Sequence, residues 1–259
     1  MTVNVKQEGH VLLIEIDRPK KYNALTREMY HQIAHAYWRL DQDPELRVGL
    51  VYGLGAHFSA GLELTDWTDT FGGGEGFPSR ENEIDPFYIN DGPRCSKPVI
   101  MAVQGYTYTW AVESMLNTDI RVAATDTRFA MLEVRRGLFP CGGATLRLHK
   151  EIGWANAQRY LLTGDEWFAE DAYRWGLVQH LTEPGKQFEK AFEIAQRVAT
   201  AAPLGVKGVL QNCRKAVLEG EEAARKVIFK ELAPVMQSED MKEGLQSFIE
   251  RRAAVFKGK

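Results

Sequence analysis

Cysteine is scarce in this sequence and long apolar runs are missing. The 259 residues include three cysteines, Cys95, Cys141 and Cys213, an odd number without C-x-x-C spacing. That excludes a disulfide framework and a zinc knuckle, and it fits a reducing compartment. No apolar stretch approaches the roughly 18 residues needed to cross a bilayer. The opening MTVNVKQEGH lacks the cationic, apolar and small-residue order of a secretory signal, so a cytoplasmic protein with no membrane partner is expected. Charge of one sign is also lacking: 32 lysines and arginines face 35 aspartates and glutamates. Basic residues gather only in pairs such as Arg135–Arg136 and Arg251–Arg252, which argues against nucleic acid as a partner. No internal repeat or low-complexity linker divides the chain.

What is present is a chain 44% apolar, long enough for a sizeable core without staples. Branched apolar runs at 11–16 (VLLIEI), 48–52 (VGLVY), 99–103 (VIMAV) and 120–123 (IRVA) predict strands, with a further candidate at 129–132. From the cap candidate Thr26, Met29, Tyr30, Ile33, Ala34, Tyr37, Trp38 and Leu40 recur at helical spacing. Residues 65–97 carry the glycine-rich FGGGEGFP and predict a long loop with one helical turn, of the kind that serves as a lid. A short helix is expected at 111–117. Strand, helix and strand at this spacing imply an α/β core with a largely parallel sheet. Helices are expected near 144–162, 168–175, 187–201, 203–219, 221–236 and 239–255, with Pro203 at a first helical position.

Several chemistries lack their signatures. The glycine run has no following Lys-Ser/Thr and no strand directly before it, which argues against a phosphate loop. The His31/His35 pair has no acidic residue in an HExxH arrangement, so an exposed helical pair is expected rather than a metal site. No GxSxG elbow occurs, and Cys141 is followed by two glycines, which suits a tight turn better than a nucleophile.

Three segments are more informative together: His57-Phe-Ser-Ala-Gly-Leu-Glu-Leu64; Lys97-Pro-Val-Ile-Met-Ala-Val-Gln-Gly-Tyr106 leading to Thr109-Trp110-Ala111-Val112-Glu113; and Asp126-Thr-Arg-Phe-Ala-Met-Leu-Glu133 followed by Gly137-Leu-Phe-Pro-Cys-Gly-Gly143. Each puts tight backbone or a carboxylate at a strand end, where α/β sheets place ligands. Their order, flanked by RPKKYNAL, LLTGD, GLVQ and SFIERRAAVF, resembles the crotonase superfamily of enoyl-CoA hydratases and isomerases over nearly the whole chain.

The resemblance implies a ClpP-like spiral fold of ββα units, with a core over 1–200 and a helical oligomerisation region over 201–259. It implies homotrimers or dimers of trimers, and a coenzyme A thioester as substrate with no permanently bound cofactor. The thioester carbonyl would accept N–H bonds from Ala60 and Trp110, which stabilise the enolate formed as water adds. Glu113 would activate the water and Glu133 would protonate the α carbon. Arg18, Lys21, Ala24, Leu25, Gly61, Leu62 and Leu64 would line the coenzyme A and acyl path, with Arg18 and Lys21 toward the phosphates. Two departures stand out. Thr109-Trp110-Ala111 replaces a glycine triplet, and the indole is expected to narrow or redirect the acyl pocket. Leu132 replaces a proline. Tyr106 and Tyr108 are expected to pack, with their hydroxyls as additional donors the alternative. Hydration of a 2-enoyl-CoA is the activity implied. The alternatives are isomerisation, thioester hydrolysis, decarboxylation, or a non-catalytic acyl-CoA-binding or RNA-binding member.

Overall fold

In the computed structural model, which describes residues 2–72 and 74–259, a six-stranded sheet is built in the order β1-β2-β3-β4-β6-β9. The strands are β1 (Val3–Glu8), β2 (Val11–Ile16), β3 (Val48–Gly53), β4 (Val99–Val103), β6 (Ile120–Ala124) and β9 (His180–Thr182). β1 and β2 form an antiparallel hairpin, and every later pairing is parallel. The central strands read as unbroken apolar runs because both faces of the sheet are covered. On one face lies α1 (Arg27–Gln42), capped by Thr26, whose hydroxyl accepts from Met29 N. Its Met29, Tyr30, Ile33, Tyr37 and Leu40 are buried. On the other lies α7 (Gln187–Thr200), whose Ala191, Ala195 and Ala199 pack on Val48, Leu50, Ile100 and Val122. Alanines four residues apart let that helix approach the sheet closely.

A second, three-stranded sheet pairs β5 (Tyr106–Tyr108), β7 (Arg128–Ala130) and β8 (Trp167–Phe168). α2 (Leu64–Trp67) opens the long loop, and α3 (Trp110–Met115) follows β5 directly. The helical stretch expected at 144–162 is broken at Gly153, which adopts φ 81 between α4 (Ala144–Ile152) and α5 (Trp154–Thr163). α6 (Ala169–Arg174), α8 (Pro203–Glu219), α9 (Glu221–Met236) and α10 (Glu239–Glu250) complete the chain. α10 stops earlier than its apolar spacing predicts. Arg251 turns left-handed at φ 55, and the Asp240 carboxylate accepts from Lys257 N and Gly258 N, which folds the tail back.

The 65–97 loop is a packed segment rather than a free lid. Trp67, Phe77, Phe87 and Tyr30 form an aromatic cluster beneath it. His31 and His35 hold its far end: His31 Nδ1 meets Glu83 Oε1 at 2.9 Å and His35 Nδ1 meets Asn82 O at 3.0 Å. The pair is therefore a structural clasp with His31 buried, not the exposed pair expected. Gly73 of the glycine run lies outside the described residues.

Candidate active site

Loops leaving the carboxyl ends of β3 and β4 converge on one place. Asn23, in the left-handed region at φ 53, joins them. Its Oδ1 accepts from Arg18 N, and its Nδ2 donates to Leu54 O and His57 O. Ser59 supplies the next link, with Oγ donating to Asn23 O at 2.8 Å and accepting from Gly61 N at 3.1 Å. Trp110 closes it by donating Nε1–H to the same Oγ at 2.7 Å. The indole is 3% exposed and packs near Phe58. Its bulk therefore lies in the core, correcting the expectation that it intrudes on an acyl pocket.

Which N–H groups remain free is decided by these contacts. The Ala60 N–H is donated to Tyr22 O at 2.9 Å, so the expectation that Ala60 contributes an oxyanion donor is not met. Gly61 N–H is taken by Ser59. Leu62 comes next, in a parallel bridge with Leu25. That bridge uses Gly61 O and Glu63 N and leaves Leu62 N–H without an acceptor among the described residues. Trp110 N–H, the first of α3, is also without an acceptor among the described residues. The two donors lie on adjacent segments: Gly61 sits so close to Thr109 that an added Cβ would stand 2.9 Å from Thr109 Oγ1. Thr109 adopts φ 52, ψ −113, a costly conformation for a β-branched residue, and this turns the 109–110 peptide.

Glu113, on α3, is 4% exposed. Its Oε1 accepts from Gly142 N at 2.8 Å and Ala144 N at 3.0 Å. Gly142 is required by proximity: a Cβ there would lie 2.7 Å from Glu113 Oε2. Glu133 opens the 3-10 turn Glu133–Arg136, and its Oε2 is buried without a partner among the described residues. Burial pushes the Glu113 carboxyl up to about 8, the nearby Glu133 charge adding to it, while the two N–H bonds pull the other way. Burial likewise pushes Glu133 up to about 7. Two carboxyls so placed hold one proton between them near neutrality.

The remaining expected residues divide. Arg18 is committed to the fold, with Nη1 on Glu63 Oε2 at 2.9 Å and on Ala24 O at 3.0 Å, which corrects its assignment to a phosphate. Leu25 is fully buried and its carbonyl accepts from Trp67 Nε1, so its side chain belongs to the core. Lys21 is exposed and has no ion partner among the described residues. Leu64 is exposed, Ala24 and Leu62 are half-buried and Gly61 is buried. Tyr106 stacks on His57 at 4.0 Å, and Tyr108 donates to Glu166, so both pack. Sequence reasoning missed the positioning roles of Asn23, Ser59 and Ala144. The N of the YNAL segment and the S of FSAG were available signals for the first two.

This fold and this site define the crotonase class. The family model for enoyl-CoA hydratase/isomerase matches residues 6–259, and the chain belongs to that family. Among its relatives, Enoyl-CoA hydratase EchA19 of Mycobacterium tuberculosis is 35% identical, with 98% of this chain and 96% of that protein covered. Carnitinyl-CoA dehydratase of Salmonella typhi is 33% identical over 100% of this chain and 99% of that protein. An enoyl-CoA hydratase structure from Mycobacterium tuberculosis superposes with a TM-score of 0.89 at 34% identity, covering 100% and 99% of the two chains. A Mycobacterium abscessus structure of the hydratase/isomerase class reaches 0.96 at 39% identity, with 100% and 99% covered.

Proposed function

We propose that this chain is an enoyl-CoA hydratase in which Glu113 and Glu133 divide the proton transfers and the N–H groups of Leu62 and Trp110 hold the thioester oxygen. The observation that carries this reading is the buried Glu113 carboxyl and the half-buried Glu133 carboxyl on the segments next to Gly61 and Thr109, where the N–H groups of Leu62 and Trp110 have no acceptor among the described residues. Addition of water to Cβ moves negative charge onto the thioester oxygen, and fixed donors there lower the barrier without reorganising. With burial raising Glu113 to about 8 and Glu133 to about 7, the shared proton rests mainly on Glu113; the reacting form is the one with that proton on Glu133, in which the Glu113 carboxylate is held by Gly142 N and Ala144 N. Glu113 then takes a proton from the attacking water while Glu133 delivers its own to Cα. The charges balance, and the product returns the pair to its starting state after one proton exchange.

Lys21, Ala24, Leu62 and Leu64 are the residues we assign to the coenzyme A and acyl path, Lys21 supplying the free cation for phosphate. No permanent cofactor enters the scheme. We further propose a cytoplasmic homotrimer or dimer of trimers, with 1–200 as the catalytic core and 201–259 as the assembling region. In support, α8 and α9 leave Val209, Ile228, Phe229 and Leu232 exposed, more apolar surface than a lone subunit ordinarily shows. Light scattering of the purified chain tests this, and a monomer refutes it.

The activity test is loss of enoyl-thioester absorbance with crotonyl-CoA and longer 2-enoyl-CoAs. Replacing the Leu62 peptide N–H by an ester oxygen should lower kcat by about 10²–10³, as for other oxyanion donors. The same replacement at Ala60 should leave kcat within a few-fold. Equal losses at both positions, or thioesters of every length left unreacted, defeat the reading.

A further inference from the structure

A cavity of about 410 Å³ opens between the end of α3, β6, α4 and α8. Its wall carries five cations, Arg94, Arg121, Arg147, Lys150 and Arg214, but only two carboxylates, Asp119 and Glu151. Both carboxylates are already used. Arg121 pairs with Glu151 at 3.1 Å and Arg214 with Asp119 at 3.0 Å. Arg147 donates to Phe87 O and Tyr88 O, and Asp85 and Glu113 lie near its charge from outside the cavity wall. Arg94 has neither kind of partner among the described residues. It lies over the Tyr88 ring with its carbon 5.3 Å from the centroid, and its buried Nε–H has no acceptor. Burial, with Arg214 and Arg147 nearby, pushes its guanidinium down to about 10.

A desolvated cation among like charges is costly unless an anion joins it. A wall with three more cations than carboxylates matches a dianion better than a single carboxylate, and a guanidinium fork suits a tetrahedral oxyanion. We propose that this cavity is a binding site for a small phosphate-class oxyanion, with Arg94 as principal donor and Arg147 and Lys150 supplying further charge. The site is distinct from the thioester-binding backbone, and its test needs no substrate, so it stands or falls apart from the hydratase reading.

The experiment is a melting series of the purified chain in which potassium phosphate replaces potassium chloride at constant ionic strength. Wild type should melt about 3–6 °C higher at tenfold excess over Kd. Arg94→Gln should weaken phosphate binding about tenfold or more, and in chloride it should melt no lower than wild type, because the lost cation has no partner there. Arg80→Gln, which removes an exposed arginine paired with Glu28, should leave the phosphate effect unchanged. Should Arg94→Gln fail to fold, exposed Lys150→Gln provides the second reading, with phosphate binding weakened about threefold and an unaltered melt in chloride. The proposal is overturned by equal phosphate stabilisation of wild type and both cavity variants. It is equally overturned by no phosphate effect on wild type, the result expected if a carboxylate of a second copy fills the cavity.

Discussion

Replacing Glu113 by glutamine should raise stability at alkaline pH while removing most of the activity. The carboxyl is buried and raised from the ordinary 4.5 to about 8, so the folded chain binds its proton more tightly than the unfolded chain does. Stability from this group is fully present below about pH 4.5 and is lost as pH rises toward 8 and beyond. At about 1.4 kcal/mol per pH unit the displacement is worth about 5 kcal/mol. Sharing of one proton with Glu133 reduces what a single substitution recovers, and about 3–5 kcal/mol is expected at pH 9. Glutamine keeps an Oε1 to accept from Gly142 N and Ala144 N, so little should change at pH 5, where the wild-type carboxyl is protonated. For a chain of this size the gain corresponds to about 6–20 °C in melting temperature. The assay is a set of melts of both proteins from pH 5 to pH 9 at one protomer concentration. Hydration rates measured alongside should fall about 10²–10⁴-fold. Stability curves that run parallel across the whole pH range would refute the burial argument, whatever happened to the rate.

Further outcomes follow from the same contacts. The wild-type kcat/KM should be bell-shaped with its maximum near pH 7–8, because the pair must carry one proton; a plateau extending to pH 10 contradicts the shared-proton scheme. Gly142→Ala drives a methyl against Glu113 and should cut kcat about tenfold or more with KM little changed, measured by steady-state hydration. Trp110→Phe removes the bond to Ser59 Oγ but not the backbone N–H, so it should cost about 1–2 kcal/mol of stability in urea titration while kcat stays within a few-fold. Thr109→Gly relieves a strained backbone of about 1–3 kcal/mol against about 0.5–1 kcal/mol of glycine entropy. A net gain near 1 kcal/mol is expected, and destabilisation would show that the threonine conformation is not strained.

Legibility from sequence depended on whether a feature is local. α1 was readable because its spacing and its Thr26 cap lie within one segment, and β2, β3, β4 and β6 were readable because burial on both faces demands continuous apolar runs. β1 was not, since an edge strand of sequence VNVKQE takes its identity from pairing with β2. β5 and β9, at three residues each, are too short to show a period. Within the site, the two glutamates could be found by motif order. The free donors could not, because whether Ala60 or Leu62 offers its N–H depends on the Tyr22 carbonyl, which reaches Ala60 from a segment 38 residues earlier. Arg18 was misplaced for a related reason: its partner Glu63 is 45 residues away.

The substituted triplet Thr109-Trp110-Ala111 follows the same logic. Glycines at such positions permit an unusual φ and leave the N–H groups exposed. This chain reaches an unusual φ at Thr109 without a glycine. Thr109 is forced to φ 52, and the force comes from its neighbours: its N–H is donated to Ala130 O at 2.8 Å, and the next side chain is anchored through Trp110 Nε1 to Ser59. Ser59 is in turn fixed to Asn23, itself at positive φ. Strain of this kind persists only where surrounding contacts over-determine it. The indole that at first suggests an altered pocket is therefore part of the scaffold that aims its own backbone N–H. Specificity among acyl chains must then be sought in side chains facing the Leu62 and Glu133 region, where the chain leaves Leu64, Leu138 and Phe139 exposed.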